Sequence, residues 1–435
     1  MCKHYRIAAL PVAMKNDKKE RKMKRIISVI LVLLAASGIL FAGGGQSGGS
    51  SSGSSSTVAF HYWADEQRTG FENIVNIFKQ KNPNINVELT LIPGRDPYYV
   101  RLQASLPVGT GPDIMTHNSN IADFLDYLYV LDDFLPGSGI DLSKFPKSIV
   151  DFYTFNGKLY AIPKDFDTIA VFYNKELFDR AGVPYPKAGW NWDDLSQTAR
   201  RLTQGNVMGF GMDVNDAQVG WGNFTRQQRG GPVHNPSVGV NVNDSTMIEA
   251  LEFLRKLMFV DRVMVDGNTI AETNASDLFM SERVAMITHG SWKVGPFYEA
   301  MGDKLGVVEM PAGRNLGCQI NGLGFALSKS TRSFDASFEL LKFLATLEGQ
   351  AATAQVVIPA YEGAANSWLA AYPTLDLKVF LDSVRFAYTE APYPRNSRAT
   401  NAILIDYISG INMSPNVNIK AELDKAQAEM ITSSR

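Results

Sequence analysis

The segment Asp165-Phe166-Asp167 sets two carboxylates close together. Paired carboxylates can serve as the acid and the base of glycoside hydrolysis. Read as an extended stretch, the two acids are expected to point to opposite faces, which would keep them from flanking one glycosidic bond. No other catalytic pattern competes. H-E-x-x-H, C-x-x-C, the P-loop and G-x-G-x-x-G are absent. G-x-S-x-G occurs at 45–49 and 49–53, but both matches lie inside the tract GGGQSGGSSSGSSS, where no strand–turn–helix can form. The five His are scattered without ligand spacing, and Cys318 is the one thiol besides Cys2. Neither a metal site, a disulfide framework nor a cofactor is expected.

Aromatic and polar residues gather instead at the ends of expected strands. Residues 58–63 read as a strand, and Trp63, Asp65 and Glu66 close it. A helix follows, with Phe71, Ile74, Val75 and Phe78 at i, i+3, i+4, i+7 spacing, and Asn82-Pro83 ends it. Residues 85–92 alternate apolar and polar as a second strand. A helix is expected over 98–106, and a short third strand over 112–116 delivers His117 and Asn118. Strands separated by helices imply a parallel α/β sheet, whose ligands sit beyond the C-terminal strand ends. The pattern resumes with a strand at 169–173 and a helix at 192–202, for which Asn191 is the expected cap and Asp193 and Asp194 favour the first turn. A strand at 209–212 leads to Trp221, Asn223 and Arg226. After a helix over 244–259, a strand at 284–288 leads through Gly290-Ser291 to Trp292, and Asn321 and Gly322 precede a strand at 323–328. A helix is expected over 334–344. Tyr361, Arg385, Tyr388 and Arg395 fall in the last hundred residues, which read as mostly helical. No fixed-period repeat is visible, so two α/β lobes are expected rather than a solenoid.

For each of these residues a packing role competes with a binding role. A carboxylate such as Asp65 or Glu66 accepts two hydroxyl hydrogens and makes stronger bonds than a neutral acceptor; the competing role is helix capping. Gly322 permits close backbone approach.

The N-terminus is read as an address. Met23-Lys24-Arg25 is basic, residues 26–36 form a compact apolar run, and small residues close it at Ala42. That is the layout of a secretory signal peptide, and the run is too short for a stable span. Met23 is read as the true start, with a long charged leader as the alternative. Gly43 stands where a lipoprotein would carry its lipidated Cys, so no lipid is expected. Residues 43–56 form a Gly/Ser-rich spacer. The first 42 residues hold nine of the 42 basic and two of the 44 acidic residues. The remainder therefore has 33 basic against 42 acidic residues, a charge of −9, which argues against nucleic acid or anionic lipid as a partner.

Five segments, in order, resemble a known family: Gly111-Pro112-Asp113-Ile114; Asn156-Gly157-Lys158-Leu159-Tyr160-Ala161-Ile162-Pro163; Val171-Phe172-Tyr173-Asn174-Lys175-Glu176-Leu177-Phe178; Val284-Ala285-Met286 through Gly290-Ser291-Trp292; and Phe343-Leu344 through Glu348-Gly349. Over residues 57–430 the chain resembles the family 1 extracellular solute-binding proteins. These are the carbohydrate-binding subunits of bacterial ABC importers, of which maltose-binding protein is the familiar member. The resemblance implies an α/β, two-lobe periplasmic-binding-protein fold of type II, with three hinge crossings near 165–168, 308–312 and 347–351. It implies one lobe from 57–165 plus 311–346 and the other from 166–310 plus 347–435. It also implies that Trp292 stacks on a sugar ring, that Asp167 is an acidic ligand contact, and that the His117–Asn118 and Trp221 positions face the ligand. The expected protein is a periplasmic monomer that performs no chemistry, captures a sugar or oligosaccharide, and docks on the membrane subunits of an ABC permease. Presenting the sugar to a chemoreceptor or sensor kinase is the alternative role, and a secreted carbohydrate-active enzyme a more distant one.

Overall fold

The computed structural model describes residues 56–231, 233, 241–389 and 397–433. The signal peptide, most of the spacer and Arg395 lie outside the described residues. In chain order the strands are β1 (Ser56–Tyr62), β2 (Ile85–Leu91), β3 (Ile114–His117), β4 (Thr154–Phe155), β5 (Lys158–Leu159), β6 (Ala161–Pro163) and β7 (Asp165–Asn174). They continue with β8 (Met208–Gly211), β9 (Val284–Gly290), β10 (Leu305–Glu309), β11 (Cys318–Asn321), β12 (Gly324–Leu327), β13 (Ile358–Pro359) and β14 (Ala387–Thr389).

Two sheets organise the chain into the two-lobe architecture. The first has the order β2-β1-β3-β12-β6, and the second runs β14-β11-β7-β9-β8, with β10 and β13 also paired to β7. In the first sheet β1 lies parallel to β2 and β3, whereas β12 is antiparallel to both β3 and β6. Its alternation is visible in β1, where Val58, Phe60 and Tyr62 are buried and the residues between them are not. The helix Arg68–Lys81 buries Phe71, Ile74 and Phe78 against the same core, as its 3.6-residue spacing requires.

Strand β7 is buried along nearly its whole length and serves two cores at once. Ala170 and Phe172 join the core that contains Phe297 and Phe380, while Ile169, Val171 and Tyr173 join the one that contains Leu195, Phe210 and Leu254. This division follows from the period of two along a strand. Local chemistry sets several helix ends. Asn191 caps Trp192–Leu202 in a full capping box with Asp194. Asp244 caps Ser245–Arg255, which passes into a π turn at Lys256–Val260. The second helix begins at Arg95, three residues before the expected 98, because Gly94 turns the chain there with φ 89.

The chain passes between the sheets three times. The first passage is Lys164, between β6 and β7. The second is Gly322–Leu323, between β11 and β12, rather than the expected 308–312. The reason is pairing: Ile320 and Asn321 bond to Thr168 and Asp167 of β7, which keeps 318–321 in the second sheet. Residues 311–321 therefore do not belong with the first sheet. The third passage leaves the helix Phe334–Leu344, runs through Leu347–Ala351 and reaches β13, which pairs with Phe166 and Asp165.

Candidate functional site

All three passages meet at a cleft of about 530 Å³. The first sheet supplies Trp63 just beyond β1, Glu66 one turn later, residues 94–97 beyond β2 and Asn118 beyond β3. The second supplies Asp167 of β7, the loop holding Asp213, Asp216 and Gln218 beyond β8, and His289, Ser291 and Trp292 at the end of β9. Asp165, Asn321 and Gly322 line its base.

The base is a buried ion pair. Lys164 Nζ donates to Asp165 Oδ2 at 2.5 Å and to Gln67 Oε1 at 2.6 Å, and the other Asp165 oxygen accepts from the Leu323 amide at 2.6 Å. Both oxygens are thus engaged within the protein, which fixes the first two passages to each other. Gly322 is required here, because a Cβ at 322 would lie 2.2 Å from the Asp165 carbonyl oxygen. Asp167 lines the same cleft as Asp165. This corrects the expectation of opposite faces: residues two apart on a strand share a face. Removal from water, reinforced by the negative charge of Asp165, pushes the Asp167 carboxyl up to about 8. Gln218 Nε2 donates to Asp167 Oδ1 at 3.0 Å, and Gln218 Oε1 accepts from Asn321 Nδ2 at 3.3 Å.

Two indole rings border the cleft, one from each sheet. Trp63 is half-buried and rests on Tyr98 and Tyr99, with ring centroids 4.9 and 5.5 Å away. Trp292 is half-buried and meets His289 edge-on at 5.2 Å. Its ring lies over Gly290, where a Cβ would come within 1.8 Å of it. Burial, with the nearby charge of Lys293, lowers His289 to about 3, so the imidazole is neutral. Asn118 is oriented by Tyr99, whose hydroxyl donates to Asn118 Oδ1 at 2.8 Å.

Of the residues singled out from the sequence, Trp63, Glu66, Asn118, Asp165, Asp167, Trp292, Asn321 and Gly322 come together on the cleft. The others lie elsewhere. Asp65 is exposed and pairs with Arg68 at 2.7 Å. His117 is fully buried between Tyr99 and Phe124, with neither ring nitrogen bonded, and burial lowers it to about 3. Trp221 is fully buried, because the helix Trp221–Arg229 turns it into the second core while the preceding loop faces the cleft. Asn223 is buried beneath that loop: Nδ2 donates to Gln218 O at 2.7 Å and Oδ1 accepts from the Gln319 amide at 2.8 Å. It positions the cleft loop without lining it. Tyr361 packs edge-on against Phe145 at 5.4 Å. Arg385 is exposed and lies 3.7 Å from Asp382. Gly94, Arg95, Asp96, Asp213, Asp216, Gln218 and His289 escaped the sequence reading. A signal existed for Asp213 and Asp216, which directly follow a strand whose C-terminal end points to the site.

Aromatic faces suit the apolar C–H side of a ring, and the surrounding carboxylates and amides suit its hydroxyls. The cleft size falls within the range of small-molecule sites.

The family model described as bacterial extracellular solute-binding protein matches residues 73–376. The chain is 26% identical over 257 residues to a binding protein of Brucella abortus (strain 2308), covering 56% of this chain and 60% of that protein. It is 26% identical over 292 residues to the arabinooligosaccharide-binding protein of Bacillus subtilis (strain 168), covering 63% and 65%. The match thus spans about 60% of the length of the first of these curated relatives. Among solved structures, an ABC substrate-binding protein from Listeria monocytogenes in complex with cycloalternan superposes with a TM-score of 0.79 at 20% identity, covering 87% of this chain and 98% of that one. The matched span makes the chain a member of the bacterial extracellular solute-binding protein family.

Proposed function

We propose that this solute-binding protein captures a sugar or short oligosaccharide in the cleft between its sheets and hands it to the membrane subunits of an ABC importer. One observation carries the reading: two half-buried indole rings, one beyond each sheet, border a cleft whose polar lining is mostly carboxylates and amides. A ring that stacks on both can hold the two halves together, so ligand and closed arrangement stabilise each other. The saccharides named for the Bacillus and Listeria relatives support the same class. The three passages act as the hinge, and the lobe tips are the surface a permease reads. The protein is a monomer and performs no chemistry; in support, both oxygens of Asp165 are already engaged.

The site of action is outside the cytoplasmic membrane, reached through a signal peptide cut near Gly43. Among the described residues no helix is long and apolar enough to cross a membrane. Mass spectrometry of the exported protein should give an unlipidated N-terminus close to Gly43; a diacylglyceryl adduct, or residues 1–42 retained, would overturn this. A thermal-shift screen over neutral mono- and oligosaccharides tests the ligand class, since a ligand of the folded state alone raises its midpoint. No shift with any saccharide, for protein that is folded by circular dichroism, would refute the reading.

A further inference from the structure

Beside the indole-bordered cleft lies a second compartment of about 600 Å³, and the two share a border that includes Asn118, Asp216 and Gln218. Part of its wall is Ser119 and Asn120, at the start of the 3-10 stretch Ser119–Tyr127, whose Ile121 and Phe124 belong to the first core. Another part is the C-terminal helix Ser397–Met413, through Asn401, Ala402 and Ile405. That helix sends Leu404, Ile408 and Ile411 into the second core. The 3.6-residue period explains the division: 404, 408 and 411 form one stripe, and 401, 402 and 405 lie on the adjoining one. A ligand in this compartment would therefore meet elements anchored in both cores.

The helix is also tied to the loop that lines the cleft. Asn412 is fully buried, and its Nδ2 donates at 2.8 Å to the carbonyl of Val214, the residue after Asp213. Arg255 holds the end of the helix by donating to the carbonyls of Ile411, Ser414 and Pro415. The family match ends at residue 376, so this wall lies outside the matched span.

The chemistry of the two compartments differs. Among the described residues no aromatic side chain lines the second one, so a sugar unit there has no ring face on which to stack. Side-chain amides take that place. Asn120 and Asn401 are half-buried, and neither side chain has a hydrogen-bond partner among the described residues. Asn118 turns its Oδ1 to the Tyr99 hydroxyl and the Asn120 amide, at 2.8 and 3.0 Å, and so offers its amino group. An amide both donates and accepts, as a hydroxyl does. We infer that the C-terminal helix is a wall of the ligand site, and that the compartment beside it takes the sugar unit next to the stacked one through hydroxyl bonds to Asn120 and Asn401. The preferred saccharide then has more than one unit. This rests on the saccharide reading above.

Isothermal titration with malto-, cello- and arabino-oligosaccharides of increasing length, each series starting from its monosaccharide, tests it. In whichever series binds, affinity should rise about tenfold or more from the monosaccharide to the longer members. Asn120→Ala combined with Asn401→Ala should weaken the longer members about fivefold more than the shortest member that binds. Ala402→Trp, at an exposed helix position, fills the compartment and should act in the same direction, which keeps the test available if the double variant folds poorly. Tightest binding of a monosaccharide, or equal losses along a series, would overturn this inference and leave the sugar reading standing. If no member of any series binds, the inference falls; if the wider screen is also empty, the sugar reading falls with it.

Discussion

Trp292 and Gly290 can be tested as one unit. The indole lies over a glycine whose backbone, at φ −85 and ψ 164, any residue could adopt. What forbids a larger residue at 290 is the ring, since the added methyl would sit 1.8 Å from it. Gly290→Ala should therefore push the indole out of place. The obstruction is the far edge of a ring that borders the cleft, so stability should change by less than about 1 kcal/mol, below the usual cost of overpacking a core. Saccharide affinity should fall about as far as in Trp292→Ala. Losing one stacked ring costs on the order of 1–3 kcal/mol, by analogy with bases stacked on aromatics. That is roughly a tenfold to hundredfold rise in Kd. The double variant should bind no worse than Trp292→Ala, because the methyl acts only through the ring, and such coupled sites are not additive. Titration calorimetry with the best saccharide from the screen gives the affinities, and urea unfolding without ligand gives the stabilities. Trp221, fully buried, is the control: Trp221→Ala should cost about 3–5 kcal/mol of stability. Intact binding in Gly290→Ala, or a core-sized loss of stability in Trp292→Ala, would refute the reasoning and move Trp292 from the ligand to the core.

Lys164→Met should destabilise the protein by about 3–5 kcal/mol in urea unfolding, because it leaves the buried Asp165 carboxylate without its cation; a loss under about 1 kcal/mol would show that water reaches the pair. Asp167 holds its proton up to about pH 8 in the folded chain but releases it near 3.8 when unfolded. Its contribution to stability is complete below that lower value and declines as pH rises towards about 8. Asp167→Asn should flatten this part of the stability profile; an unchanged slope would mean the carboxyl is ionised throughout. His117 and His289 act in the opposite sense. Both are lowered to about 3, so stability should fall as pH drops from about 6.5 towards 3, and a His117→Leu variant should lose less stability on acidification. Small-angle scattering should show a smaller radius of gyration with saturating saccharide; an unchanged curve with binding confirmed would count against closure.

Much of the frame was legible because it rests on local chemistry. The alternation of β1, the apolar stripe of Arg68–Lys81, the helix Trp192–Leu202 behind Asn191, and the placing of Trp63, Asn118 and Trp292 at strand ends all follow from neighbours within a few residues. The same rule pointed beyond β8, but a step too far along the chain. The loop with Asp213 and Asp216 faces the cleft, whereas Trp221 and Asn223 belong to the helix that supports it. The sequence offers no periodicity across that short loop from which to tell lining from support.

By itself, then, the sequence determined the alternating α/β elements, the solute-binding family and the expectation of a binding cleft at strand ends. Those properties depend on period, caps and ordered segments, which are written along the chain. Only the tertiary structure decided that the second passage falls at Gly322–Leu323, that Asp165 is held in a buried ion pair, and that His117 is sealed among rings while Asn118 reaches the cleft. Each of these turns on partners far away in sequence: Leu323 on Asp165, β11 on β7, and Tyr99 on Asn118. Burial and charge at a site are sums over such distant partners, and no local pattern carries them.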